Sequence, residues 1–218
     1  MNIGVWRPSL LAAALLGGAL AGYTGTPTAA VPLAANPAPS QLRVHAEEIT
    51  VDTLVVSHAL TTFADDTAPV SRAVTLNLAR ASLQSARATA EALPEADLTA
   101  AGSTVAVRED VARTLNALST EVDAMISCEK AKTATCGTAQ MILRQSQGGA
   151  AAGAAVARLN RAANVDQRFV AVAFTIVQQD LSLAGPASLD TGALRERACL
   201  LVPLTRPQPS VPAAKVGQ

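Results

Sequence analysis

Residues 41–64, QLRVHAEEITVDTLVVSHALTTFA, decide the fold class of this chain. Small and apolar side chains recur there at alternating intervals of four and three residues: Leu42, Ala46, Ile49, Thr53, Val56, Leu60 and Phe63. This spacing places one side chain per turn on a single face of an α-helix, and such a heptad-like stripe is typical of helices that pack lengthwise. Ser40, directly before the stretch, is a favoured N-cap residue. The stretch therefore predicts an amphipathic helix over 41–64.

Three later segments have the same periodicity and predict further helices over about 70–92, 103–127 and 138–162. Proline cannot continue a helix, so Pro94 ends the first of these. The stripe of the first segment is Leu76, Ala79, Leu83, Ala86, Ala90 and Leu93. That of the second is Val107, Val111, Leu115, Leu118, Val122 and Met125.

The last of these segments has a weaker helical pattern, because it contains GGAAAGAAVA at 148–157. Each glycine inside a helix costs roughly 1 kcal/mol relative to alanine. Gly149 and Gly153 form a G-x-x-x-G pattern, which lets two helices approach closely. The sequence leaves two interpretations open for this segment, a close-packing helix face or a flexible joint.

Two elements are predicted after it. Residues 165–185 include an apolar run from Phe169 to Val177 that would suit either a buried strand or a buried helix. Their length, with glutamine and aspartate at the flanks, favours the helix. A short helix is predicted over about 188–201.

The composition agrees with a helical fold. Half of the residues are hydrophobic, but only 2% are aromatic. Sheets usually rely on aromatic and β-branched side chains, whereas alanine- and leucine-rich cores suit closely packed helices. With short connections between the helices, we expect an all-α, up-and-down bundle of four to five helices. A chain of 218 residues has room for one such domain.

The first thirty residues have the order of a secretory signal. Arg7 is followed by an uncharged apolar run from Leu10 to about Ala21, and then by small residues. Cleavage would follow Ala21 or Ala30. The run has about 12 residues, too few to span a membrane, so a cleaved signal is favoured over an uncleaved anchor. We therefore expect a secreted, periplasmic or cell-envelope location, with no membrane span after signal cleavage.

The resulting domain organisation has four parts. Prolines and the absence of charge after the signal predict an extended linker, and the proline-rich C-terminal end predicts a disordered tail. The predicted parts are the signal peptide at 1–30, the linker at 31–40, the helical bundle at 41–201 and the tail at 202–218.

Three cysteines carry the most obvious chemistry. Cys128 and Cys136 lie in SCEKAKTATCG, at the junction between two predicted helices. Disulfides persist in exported proteins, so we predict that this pair forms one, worth on the order of 2–3 kcal/mol. A zinc site or a redox pair is disfavoured because both usually need C-x-x-C spacing. Cys199 lies in the apolar run RACLLVPL, which favours a buried thiol, and pairing with either of the other cysteines or with a second chain stays open.

Histidines and carboxylates give a weak indication of a metal site. His45 and His58 face nearly opposite sides of the first helix. His45, Glu48 and Asp52 do share a face, but such a row is more often a solvated polar surface than a metal site. No metal site and no cofactor is predicted.

The charge balance bears on partners. The chain has 17 basic and 17 acidic residues and no basic stripe, which disfavours nucleic-acid binding. A partner protein or a surface is expected instead, of unknown identity, and the oligomeric state is left open.

Three functions stay open. The first is an exported, non-enzymatic helical protein that binds a surface, whether the envelope, a partner protein or an apolar interface, since only 16% of its residues are charged. The second is a carrier of a small apolar or haem-like ligand inside the bundle. The third is an all-α secreted enzyme, for which no catalytic residue is predicted because no nucleophile or phosphate-loop motif occurs. Its substrate would be an anion held by arginines: Arg80, Arg87, Arg108, Arg113, Arg158 and Arg161.

Overall fold

The structure is a computed structural model that describes residues 40–64, 72–100, 105–131, 139–184 and 190–205. These ranges contain helices and no strand, so the predicted all-α class is confirmed. The helices are α1 (Gln41–Ala64), α2 (Arg72–Glu91), α3 (Glu95–Ala100), α4 (Val105–Ala131), α5 (Ala139–Ala162), α6 (Gln167–Ala184) and α7 (Thr191–Leu201). A 3₁₀ turn, Val202–Thr205, follows α7.

The helix bounds follow the sequence pattern closely. Helix α1 has the predicted bounds, and the Ser40 hydroxyl accepts a hydrogen bond from the Arg43 backbone N–H at 3.3 Å, as expected of an N-cap. Residues 167–184 are helical, which decides between the strand and helix interpretations of this segment. The six-residue α3 after Pro94 was not predicted. With α3 and α7 the described ranges hold more helices than the expected four to five.

The first long helices form an up-and-down arrangement. The Arg72 guanidinium at the start of α2 lies 5.0 Å from the ring centre of Phe63 at the end of α1, so these two helices are antiparallel. Helices α2 and α4 are antiparallel too, because Arg72 pairs with Glu129 at 3.6 Å and Arg80 with Asp123 at 3.1 Å. Packing between consecutive helices therefore builds a bundle.

Helix α5 packs closely against α4. A Cβ atom added at Gly148 would lie 4.0 Å from the Leu118 Cα and 3.4 Å from its Cδ1, so the two backbones lie near each other. Gly149 and Gly153 are buried, and α5 continues through them without a break. This agrees with the close-packing interpretation of the glycine-rich segment and not with a flexible joint.

Helix α1 lies at the centre of the fold. It contacts α2 on one side and α5, α6 and α7 on others, so every residue from Ile49 to Ser57 is buried. The sequence stripe predicts one buried face, whereas the structure buries all faces of this segment. The threonine hydroxyls in this buried segment have hydrogen-bond partners. Thr53 Oγ1 donates to the Ile49 carbonyl at 2.7 Å, and Thr50 Oγ1 donates to Asn160 Oδ1 at 2.9 Å.

A short turn joins α5 to α6, which packs against α1. Asn164 adopts a left-handed backbone conformation with φ 52°, which asparagine tolerates better than most residues. The Val165 N–H donates to the Asn160 carbonyl at 2.9 Å and closes the helix end. Asp166 then accepts a hydrogen bond from the Arg168 backbone N–H at 2.9 Å and opens α6.

Several predicted parts lie outside the described residues. The signal peptide and residues 31–39 of the linker are among them, as are residues 206–218 of the tail. Val202–Thr205 is a 3₁₀ turn, although the sequence places the start of the disordered tail there. Each helix in the described ranges falls short of the length or apolar character needed to cross a bilayer.

Candidate functional site

Two carboxyl groups are buried on the central helix. Glu47 and Asp52 both lie on α1, and each is only 1% exposed. Removing a carboxylate from water is costly unless it is paired or gives up its charge. These two buried carboxyl groups are therefore the first candidates for a functional site.

Glu47 is paired with two arginines. Its Oε1 accepts a hydrogen bond from Arg43 Nε, one turn earlier on α1, at 2.9 Å. Its Oε2 accepts one from Arg195 Nη2 of α7 at 3.0 Å, and the Cys199 thiol lies 3.6 Å from the same oxygen. Charge-assisted hydrogen bonds of this kind are stronger than neutral ones. The Glu47 carboxylate thus fastens α7 to α1.

Cys199 is a free, half-buried thiol, so it is more exposed than the sequence interpretation implies. Burial raises the pKa of this thiol, and the negative charge of Glu47 raises it further. The Arg195 guanidinium acts in the opposite direction but does not reverse the pKa shift. A reactive cysteine needs its pKa lowered, because the thiolate is the nucleophile. This environment keeps Cys199 protonated and suits a hydrogen-bond donor, not a nucleophile.

Asp52 has a different environment from Glu47. The side chains of Ser85 on α2 and Thr191 on α7 are its hydrogen-bond partners. Its Oδ1 atom is buried and has no hydrogen-bond partner among the described residues. Burial raises the pKa of Asp52 to about 7, and the nearby charge of Glu48 adds to this effect, although the two hydrogen bonds oppose it. Asp52 is therefore a core carboxyl that is protonated below about pH 7.

The beginning of α7 is positioned by its own N-cap. Asp190 Oδ1 accepts hydrogen bonds from the backbone N–H groups of Gly192 at 2.9 Å and Ala193 at 3.2 Å. These bonds satisfy donors of the first helical turn and start the helix at Thr191. Since Thr191 contacts Asp52 and Arg195 contacts Glu47, α7 runs antiparallel to α1 along its buried carboxyls.

The structure corrects the interpretation of the His45 row. Asp52 is buried and belongs to the core, so this face of α1 is not a solvated polar surface at that position. His45 is half-buried, and its Nδ1 atom has no hydrogen-bond partner in the described ranges. Burial lowers the pKa of His58, which keeps that ring neutral at pH 7. Among the described residues, no three histidine, cysteine, aspartate or glutamate side chains form a group suited to a metal ion.

The predicted substrate arginines lie on α2, α4 and α5, and three of them form ion pairs with aspartate side chains. Arg80 pairs with Asp123 of α4, and both Arg113 and Arg158 pair with Asp110, whose pKa their hydrogen bonds lower. The arginines that meet at a buried group are Arg43 and Arg195, which the sequence did not single out. The signal for them was the i, i+4 spacing of Arg43 and Glu47, but nothing nearby in sequence points to α7.

The predicted disulfide stays a prediction. Cys128 lies in the last turn of α4 and is half-buried, and Cys136 lies outside the described residues.

An exposed leucine pair lies at the end of α7. Leu200 is 73% exposed and Leu201 is 39% exposed, and half-buried Val202 follows them. The neighbouring Cys199 contacts Glu47, near the beginning of α1, so the pair lies at the end of the bundle where α1 starts. Val74 on α2, 40% exposed, is the other large exposed apolar side chain of the described ranges.

Comparison with known proteins adds no assignment. No family model matches the chain, and neither a curated protein nor a solved structure matches it.

Proposed function

We propose that this chain is an exported, non-enzymatic helical protein that binds a lipid membrane in the cell envelope by placing apolar side chains below the headgroups. The supporting observation is the leucine pair, Leu200 and Leu201, which projects apolar area into water at one end of the bundle. Exposed large apolar side chains that are adjacent to each other are typical of interaction sites.

The contacts of the buried groups support binding over catalysis. A catalytic carboxylate or thiol must be free to react, and its pKa is tuned toward that task. Glu47 instead neutralises two arginines, and Cys199 is held as a thiol. Both groups act as fastenings between α1 and α7.

The strength expected of the leucine pair is modest. A fully buried leucine side chain gains roughly 1.5–3 kcal/mol on leaving water. Because Leu201 is already partly covered, we expect the pair to contribute about 2 kcal/mol, or about thirtyfold in binding. This predicts a weak, reversible attachment and not a permanent anchor.

Export and the disulfide are parts of the same proposal. The N-terminal signal pattern would direct the chain out of the cytoplasm, where a bond between Cys128 and Cys136 would persist. The intact mass of the exported chain, measured with and without reductant, reports both features. An uncleaved N-terminus, or a mass that reductant leaves unchanged, would contradict them.

The binding test uses the mature chain and uncharged phosphatidylcholine vesicles, with the bound fraction measured by co-sedimentation. Replacing both leucines, Leu200→Ser with Leu201→Ser, should weaken binding about thirtyfold, because that apolar area no longer leaves water. The control is Val74→Ser, which removes an apolar side chain of another helix that is as exposed as Leu201 and should leave binding unchanged.

Two results would contradict the proposal. One is that the mature chain does not bind the vesicles, which would direct attention to a protein partner. The other is that the double leucine variant and the Val74→Ser control bind equally well.

A further inference from the structure

The attachment of α7 to α1 depends unusually strongly on polar contacts. Only Leu194 and Ala198 of α7 are apolar side chains buried in the core. The other links are the Arg195–Glu47 ion pair, the Cys199–Glu47 contact and the Thr191–Asp52 hydrogen bond. A short helix with so little apolar burial is expected to separate from the bundle at a lower free energy than the long helices do.

Asp52 lies where three helices meet. It belongs to α1, Ser85 reaches it from α2, and Thr191 reaches it from α7. Both partners are neutral hydroxyls, and within the part of the chain that the structure describes one carboxyl oxygen, Oδ1, has no hydrogen-bond partner. The charged side chain that acts on Asp52 is Glu48, which is acidic as well. Among the described residues no arginine or lysine forms an ion pair with Asp52, because Arg195, one turn after Thr191, pairs with Glu47 instead, so the site suits a neutral carboxyl group better than an ionised one.

We propose that α7 is a pH-dependent latch, held on α1 while the Asp52 carboxyl is protonated and loosened as that carboxyl ionises. An ionised Asp52 would be a buried charge without a counter-ion, which water must reach for the charge to be stable. Separation of α7 would admit that water while uncovering only Leu194 and Ala198 as buried apolar side chains of that helix, together with breaking the Arg197–Asp180 ion pair to α6. The latch is a property of the chain itself and does not depend on the proposed membrane binding.

The pH range follows from the pKa of Asp52 in the two states. With α7 in place the pKa is about 7, and with the carboxyl in water it returns to its ordinary value of 3.8. Between these values the closed state holds a proton that the open state releases, so a rise in pH favours opening. Above about pH 7 the carboxyl is ionised in both states, and opening no longer changes with pH.

Cys199 reports the position of α7, because its thiol is half-buried against Glu47 when the helix is docked. The test measures the rate at which dithiodipyridine modifies Cys199, identified by peptide mapping, in the unmodified chain and in Asp52→Asn. At each pH the rate for the chain without substitutions is divided by the rate for Asp52→Asn. This ratio removes the ordinary pH dependence of the thiol reaction. The asparagine is neutral at every pH and keeps the latch closed.

We expect the ratio of rates to rise at least tenfold from pH 5 to pH 7 and to stay level from pH 8 to pH 9. The matched control is Asp123→Asn, which removes a half-exposed carboxylate on α4 that pairs with Arg80. Its ratio to the unmodified chain should not change with pH. A constant ratio for Asp52→Asn would overturn the proposal.

A second measurement covers the case in which Asp52→Asn does not fold. Hydrogen exchange of the unmodified chain is followed from pH 5 to pH 8 and corrected for the intrinsic rate of each amide. The protection of α7 amides should fall relative to that of buried α4 amides over this range. Equal pH dependence in both helices would overturn the proposal.

Discussion

Glu47 and Asp52 are buried to the same extent on the same helix, yet their surroundings lead to opposite chemistry. Glu47 meets two guanidinium groups, whereas Asp52 meets two hydroxyls and a second carboxylate, Glu48. Burial alone therefore does not decide the charge of a core carboxyl, because the partners supplied by other helices decide it. Glu47 holds α7 to α1 through ion pairs, whereas the charge of Asp52 changes with pH.

The largest expected effect comes from removing the Glu47 carboxylate. Glu47→Ala leaves the Arg195 side chain, which is only 17% exposed, without a counter-charge. Breaking a buried ion pair in this way costs roughly 3–5 kcal/mol. Urea unfolding at pH 7 should show this loss of unfolding free energy. Asp123→Asn, at a half-exposed ion pair, is the control and should cost about 1 kcal/mol or less. Equal losses for the two variants would contradict the fastening role of Glu47.

A smaller difference separates the two arginines that share Glu47. The Arg195 side chain is 17% exposed and bridges two helices, whereas Arg43 is 39% exposed and stays within α1. We expect Arg195→Ala to cost about 2 kcal/mol and Arg43→Ala about 1 kcal/mol or less, because the exposed partner is screened by water. Urea unfolding of both variants gives the order. A larger loss for Arg43→Ala would show that α7 contributes little to the stability of the Glu47 site.

The sequence predicted the helices well because their information is local. The periodic apolar side chains of α1 and its N-cap Ser40 lie within the segment that they define. The short helix α3 was missed because it has too few residues to show a period.

The buried carboxyls were not predicted because their burial depends on distant parts of the chain. Glu47 meets Arg195 across 148 positions of sequence, and nothing near Glu47 indicates that contact. A signal for burial was present in TVDTLVVSHAL, where apolar side chains occur on more than one face of α1. A helix that is apolar on several faces is usually surrounded by others. The single stripe chosen from the sequence left that feature out.

The most direct test of the account compares the unfolding free energy of the unmodified chain with that of Asp52→Asn from pH 4 to pH 9. The folded chain keeps a proton on Asp52 up to about pH 7, whereas the unfolded chain releases it near 3.8. The stabilising contribution of this proton is present at low pH and is lost as the pH rises through that window. Between pH 4 and pH 7 we expect the unmodified chain to lose roughly 3 kcal/mol of unfolding free energy relative to the variant, with little further change above pH 8. Parallel curves for the two chains would show that Asp52 has the same pKa in the folded and unfolded chains, and would contradict the distinction between the two buried carboxyls.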